Sequence, residues 1–135
     1  MFFQIEPHNG LAVYDQIARQ LKFAVAEGAL EPGELAPSVR ELAKELAINP
    51  NTVARAYRQL QDDGVLETVR GTGLAVTKTA KKLCRDARRE LVTARVGQVV
   101  AEAIHSGLDA SEVEKLFRAE LKKFVNFGKT TADGR

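Results

Sequence analysis

Two helix-start signals, Ser38 and Asn49, stand eleven residues apart, and that interval constrains the fold more than any other feature of the sequence. In Pro37-Ser38-Val39-Arg40-Glu41 the Ser-x-x-Glu spacing is a capping box: the serine satisfies a free backbone N–H and the glutamate reaches back to the cap. Asn49 is a good N-cap, and Pro50 suits the first helical position because no intrahelical donor is lost there. Between the caps there is room for about two turns of helix, at ~3.6 residues per turn, and one tight turn. Val39, Leu42, Ala43 and Leu46 form the inward stripe of the first helix. In the second, Val53, Ala56, Tyr57 and Leu60 face inward, which leaves Asn51, Arg55, Arg58 and Gln59 on the opposite side. A short helix, a tight turn and a second helix with a polar outer face is the arrangement that sets a recognition helix in the major groove of DNA.

The flanking elements follow from periodicity and from turn residues. Residues 13–27 place Ile17, Leu21, Ala24 and Val25 on one face of a helix that Gly28 can end. After Asp63-Gly64 the β-prone run 65–69, the tip Arg70-Gly71-Thr72-Gly73 and the run 74–77 predict a hairpin, the wing. From Lys78 to Gly107 no turn signal interrupts the chain, which predicts one long helix. Asp109-Ala110-Ser111-Glu112 is a second capping box and starts a last helix with Val113, Leu116, Phe117, Leu121 and Phe124 on its stripe. The expected fold is mostly α with a small β-hairpin. It comprises a winged helix-turn-helix over residues 1–77, a two-helix dimerisation region over 78–127 and a disordered tail over 128–135.

Charge does not advertise this function. Residues 1–77 carry seven Lys and Arg against ten Asp and Glu, while residues 78–95 carry seven against two. Any DNA contact by the first segment must therefore come from local placement. Asn51 and Arg55 are of the types that pair with adenine and guanine edges, and Arg58 shares their face. Thr52 and the backbone N–H groups at the helix start can bind phosphate. Arg40 begins the preceding helix, and Arg70 sits at the wing tip, where Gly71, Thr72 and Gly73 let the main chain approach DNA closely.

The run from Pro32-Gly33 through residues 37–43, followed by residues 49–57, resembles the DNA-binding domain of GntR-family regulators, over about residues 1–77. The opening Phe2-Phe3-Gln4-Ile5, together with Val13-Tyr14-Asp15-Gln16-Ile17, is similar to the YtrA-type branch, and the short segment after the wing points the same way. The resemblance implies a repressor of nearby genes that uses Arg40, Asn49, Asn51, Thr52 and Gly71 against DNA. Three positions depart from the family pattern. Ala36 stands where Leu is usual, and Ala54 where other branches carry Arg. Ala47 stands where Gly is usual, at a cost of ~1 kcal/mol if that residue is left-handed.

The two tail helices are too short to bury both stripes against each other, so they need a partner. A second copy supplies one, through Leu91, Val96, Val100, Ile104, Val113, Leu116, Phe117, Leu121 and Phe124, in a four-helix assembly about a two-fold axis. Folding back on the chain's own DNA-binding domain is the alternative. The basic stretch Lys78, Lys81, Lys82, Arg85, Arg88 and Arg89 either touches phosphates beside the wing or is the solvated face of a helix. His8, His105 and Cys84 make no catalytic or metal-ligand pattern, so no enzyme and no cofactor are expected. With one cysteine, no long apolar run and no leader pattern, the chain is expected in the cytoplasm. A winged helix that binds protein instead of DNA is the competing function.

Overall fold

A computed structural model of the chain describes residues 3–133, with side chains for residues 3–125. Before the first helix an extended segment is held by two glutamines one helical turn apart. The Gln16 amide donates to the carbonyls of Glu6 (2.8 Å) and Leu11 (3.0 Å), and its oxygen accepts from the Glu6 N–H (2.8 Å). Gln20 pairs in the same two-way manner with the backbone of Gln4. Gln16 is buried, yet both its amide nitrogen and its oxygen are hydrogen-bonded, which is the condition for placing an amide in a core. Both glutamines belong to α1 (Val13–Ala26), whose Ile17, Leu21 and Val25 are fully buried.

α2 (Val39–Leu46) and α3 (Pro50–Asp62) begin at the two caps expected from the sequence. Both halves of the first capping box form: the Glu41 N–H donates to Ser38 Oγ (3.0 Å) and the Ser38 N–H to Glu41 Oε1 (3.1 Å). At α3 the Asn51 N–H donates to Asn49 Oδ1 (2.8 Å). α1, α2 and α3 all terminate in the same way. The residue after the C-terminal turn has positive φ, and the next N–H bonds back to the carbonyl five residues earlier: Ala29 to Ala24, Ile48 to Ala43, Val65 to Leu60. Glycine occupies the left-handed position in two of the three, Gly28 and Gly64. In α2 it is Ala47, at φ 56 and ψ 46.

β1 (Leu66–Val69) and β2 (Gly73–Val76) form the hairpin, with Val69 opposite Gly73 across a three-residue tip. The sheet is wider than expected. The Gly33 N–H donates to the Val76 carbonyl (2.8 Å), Val76 N–H to Glu34 (2.9 Å) and Ala36 N–H to Leu74 (2.8 Å), so the segment before α2 lies along β2. Flanked by Pro32 and Pro37, this stretch is too short to carry a readable alternation.

α4 (Ala80–His105) starts on the core: Ala80 and Cys84 are fully buried beside Val65 and Val76. Burial pushes the Cys84 thiol up to about 11, so it is a neutral packing group. The chain divides into two compact units between Leu91 and Val92, within α4. In the second, α4 ends at Gly107 by the same device, with Leu108 N–H on the Ala103 carbonyl (3.2 Å). α5 (Ala110–Asp133) then starts on the second capping box, Asp109 with Glu112. Among the described residues there are thus five helices and one hairpin. The disordered tail expected over 128–135 falls on residues whose side chains lie outside the described ones. No helix of the described residues is long and apolar enough to cross a membrane.

Candidate nucleic-acid interface

The start of α2 is linked to α3 by a tyrosine that the sequence marks only as part of an apolar stripe. Tyr57 is buried on α3, and its hydroxyl donates to the Pro37 carbonyl just ahead of α2 (2.7 Å). Burial, and then the negative charge of Glu41, raise the pKa of the phenol, so it stays protonated and keeps donating. Glu41 itself is held below the usual carboxylate range by the Ser38 backbone N–H and then by the serine hydroxyl. The start of α2 is thereby tied to the middle of α3.

On this frame Arg40 lies in the first turn of α2, and Asn51, Arg55 and Arg58 are exposed on α3. Arg70, Gly71 and Thr72 form the exposed wing tip. Thr52 is half-buried. Asn49 is exposed, but its side-chain oxygen is spent on the cap, which leaves the amide nitrogen as its available group. The start of α3 is not an open phosphate cradle. Pro50 has no N–H, that of Asn51 is held by Asn49, and that of Thr52 donates to the Asn49 carbonyl (3.0 Å). Gln59 is also committed, its amide donating to both oxygens of Asp63 (3.2 and 3.3 Å).

The seven basic residues of the net-acidic segment 1–77 fall into two groups. On α1, Arg19 pairs with Asp15 (3.3 Å) and Lys22 with Asp63 (2.8 Å). The other five basic residues of 1–77 are Arg40, Lys44, Arg55, Arg58 and Arg70. None of them makes an ion pair or hydrogen bond among the described residues, and all five lie on α2, α3 or the wing. Arg55 has one partner, the ring of Tyr14 on α1, with Cζ 3.8 Å from the ring centroid.

The basic stretch of α4 is used differently. Arg85 Nε donates to the Ala26 carbonyl at the end of α1 (3.3 Å), Lys81 lies 3.9 Å from Glu31, and Lys82 lies 3.5 Å from Asp86. Arg85 thus sits at the C-terminal end of α1 and Arg55 at its N-terminal end, about 20 Å apart along a helix rising ~1.5 Å per residue. In the second unit Val113 is buried, while Val96, Ile104, Leu116, Phe117, Leu121 and Phe124 are exposed, Phe124 at 72%. Leu91 and Val100 are half-buried.

Residues 13–76 match the family described as bacterial regulatory proteins, gntR family. The chain is 32% identical over 126 residues to the HTH-type transcriptional repressor YtrA of Bacillus subtilis, covering 93% of this chain and 96% of that one. It is 39% identical over 69 residues to the uncharacterised HTH-type transcriptional regulator YhcF of the same organism, covering 51% and 57%. A GntR family transcriptional regulator from Listeria monocytogenes superposes with a TM-score of 0.66 at 27% identity, covering 82% of this chain and 96% of that one. YtrA from Sulfolobus acidocaldarius superposes with a TM-score of 0.55 at 29% identity, covering 75% and 99%.

Proposed function

The chain belongs to the GntR family of bacterial regulatory proteins and is a DNA-binding transcription regulator, and within that function we propose that it is a cytoplasmic repressor that binds a pseudo-palindromic operator as a homodimer. The observation that carries the DNA-facing part is the sorting of charge. Five basic side chains that make no ion pair or hydrogen bond among the described residues lie on α2, α3 and the wing of a segment whose net charge is negative, one of them, Arg55, stacked on Tyr14. Desolvated or paired cations contribute little to phosphate binding, whereas unpaired exposed ones release counterions from DNA. Repression is proposed from the extended similarity to a repressor, which runs through the tail as well as the winged helix.

Within the face, Arg55, Arg58 and Asn51 are assigned to base edges. Arg40, Thr52, Arg70 and the main chain at Gly71 and Thr72 are assigned to phosphates, and Asn49 contributes through its amide nitrogen. Homodimerisation is assigned to the apolar residues of α4 and α5, because a stripe that includes Phe117, Leu121 and Phe124 is too apolar to remain in water without a partner.

Titration of the full chain against duplex DNA at two salt concentrations, with two variants, tests the interface. Arg55→Ala should cost ~1–3 kcal/mol and relax preference at one base position. Arg40→Ala should weaken all sequences alike and reduce the salt slope by about one unit. A parent protein that shows no salt-dependent binding to duplex DNA would favour a protein-binding winged helix instead.

A further inference from the structure

Tyr14 is in the first turn of α1, outside the helix-turn-helix, and half-buried at the edge of the core. Its ring carries the Arg55 guanidinium at 3.8 Å, across a separation of 41 residues in sequence. Arg55 makes no hydrogen bond or ion pair among the described residues, and it is exposed despite the stack. A guanidinium laid on an aromatic face uses its π surface and leaves the N–H edge free. That edge is the part a guanine O6 and N7 would engage. A long, flexible side chain is thus biased toward one orientation before any DNA arrives, which lowers the ordering cost of a contact.

We propose that Tyr14 is a positioning residue for sequence recognition: it presents Arg55 to a base edge and so contributes to operator selection without touching DNA. The inference rests on the reading that the outer face of α3 meets the major groove. It differs from a role for Tyr14 in packing alone, which would alter stability and leave base preference unchanged. It also differs from a withdrawing role, in which freeing Arg55 from the ring would tighten binding.

The test uses the full chain and an operator selected from random duplex DNA by the parent protein. That operator, its single-base variants and an unrelated duplex are titrated with Tyr14→Phe, Tyr14→Leu, Arg55→Ala and the Tyr14→Leu/Arg55→Ala double variant, each checked by thermal melting. Tyr14→Phe keeps the ring and should match the parent. Tyr14→Leu should weaken operator binding up to about 5-fold, the size of an exposed cation–π contact. It should relax the same base position as Arg55→Ala, add nothing to it in the double variant and leave binding to the unrelated duplex unchanged. Tighter binding by Tyr14→Leu, an intact base preference, or losses that add in the double variant would overturn the proposal.

If Arg55→Ala itself changes nothing, the base-reading assignment of α3 falls and the positioning role falls with it. If Arg55→Ala relaxes preference and Tyr14→Leu does not, only the positioning role falls. Should Tyr14→Leu fail to fold, the parent alone still decides, by proton NMR of the free protein. The ring current of Tyr14 should move the Arg55 side-chain protons upfield, and random-coil shifts would overturn the stack.

Discussion

Ala47 ends α2 in the left-handed region, at φ 56 and ψ 46, in a motif that elsewhere in this chain takes glycine. The Cβ in that conformation costs ~1–2 kcal/mol, partly offset because glycine loses more backbone entropy on folding. Ala47→Gly is therefore expected to stabilise the N-terminal unit by about 0.5–1 kcal/mol, read as a rise of several degrees in melting temperature with DNA affinity unchanged. This cost could be foreseen only through the resemblance to a family that usually has Gly at this position, and it is the backbone at φ 56 that makes it real. The contacts of Gln16 with Glu6, Tyr57 with Pro37 and Arg55 with Tyr14 are not legible in the sequence, since each joins segments whose approach depends on the finished fold. Tyr57 follows helical periodicity as an ordinary inward position and Gln16 lies beside the apolar stripe of α1, and nothing in the spacing gives either a polar task.

Although α5 runs to Asp133, past the boundary expected at 127, the helix starts at Ser38, Asn49 and Asp109 were legible to the residue, because caps are written in short, local patterns. The strand-like segment 33–36 was not, and it is what fastens the wing to the start of α2. The wing tip has its own consequence for experiment. A Cβ at Gly71 would meet open space, but φ there is +75, so Gly71→Val carries a backbone cost of about 1–2 kcal/mol in addition to any effect on DNA. Arg70→Ala separates the two. It should leave the melting temperature unchanged, weaken binding to every duplex alike and lower the salt slope by about one unit. Unchanged affinity at both low and moderate salt would remove the wing tip from the interface.

In the whole molecule as proposed, a modest winged helix is joined to a tail that would bring a second copy of it. One winged helix with a handful of phosphate contacts binds weakly. Two held at about one helical turn of DNA, ~34 Å, make the second contact intramolecular, at an effective concentration that can reach the millimolar range. Replacing Leu116, Phe117 and Leu121 with polar residues should release monomers, with a loss of operator affinity of ~100-fold or more, while the core of Ile17, Leu42 and Leu60 keeps the DNA-binding unit folded. Sedimentation and operator titration of that triple variant check this. A variant that stays dimeric, or a folded monomer that binds as tightly as the parent, would refute the role given to the tail. The most direct test of specific, dimeric DNA recognition is selection of bound fragments from a random duplex library by the full chain. Two inverted half-sites with centres about 10 base pairs apart, or a multiple of that, are the predicted result. Enrichment of a single unpaired half-site, or no enrichment at all, would contradict it.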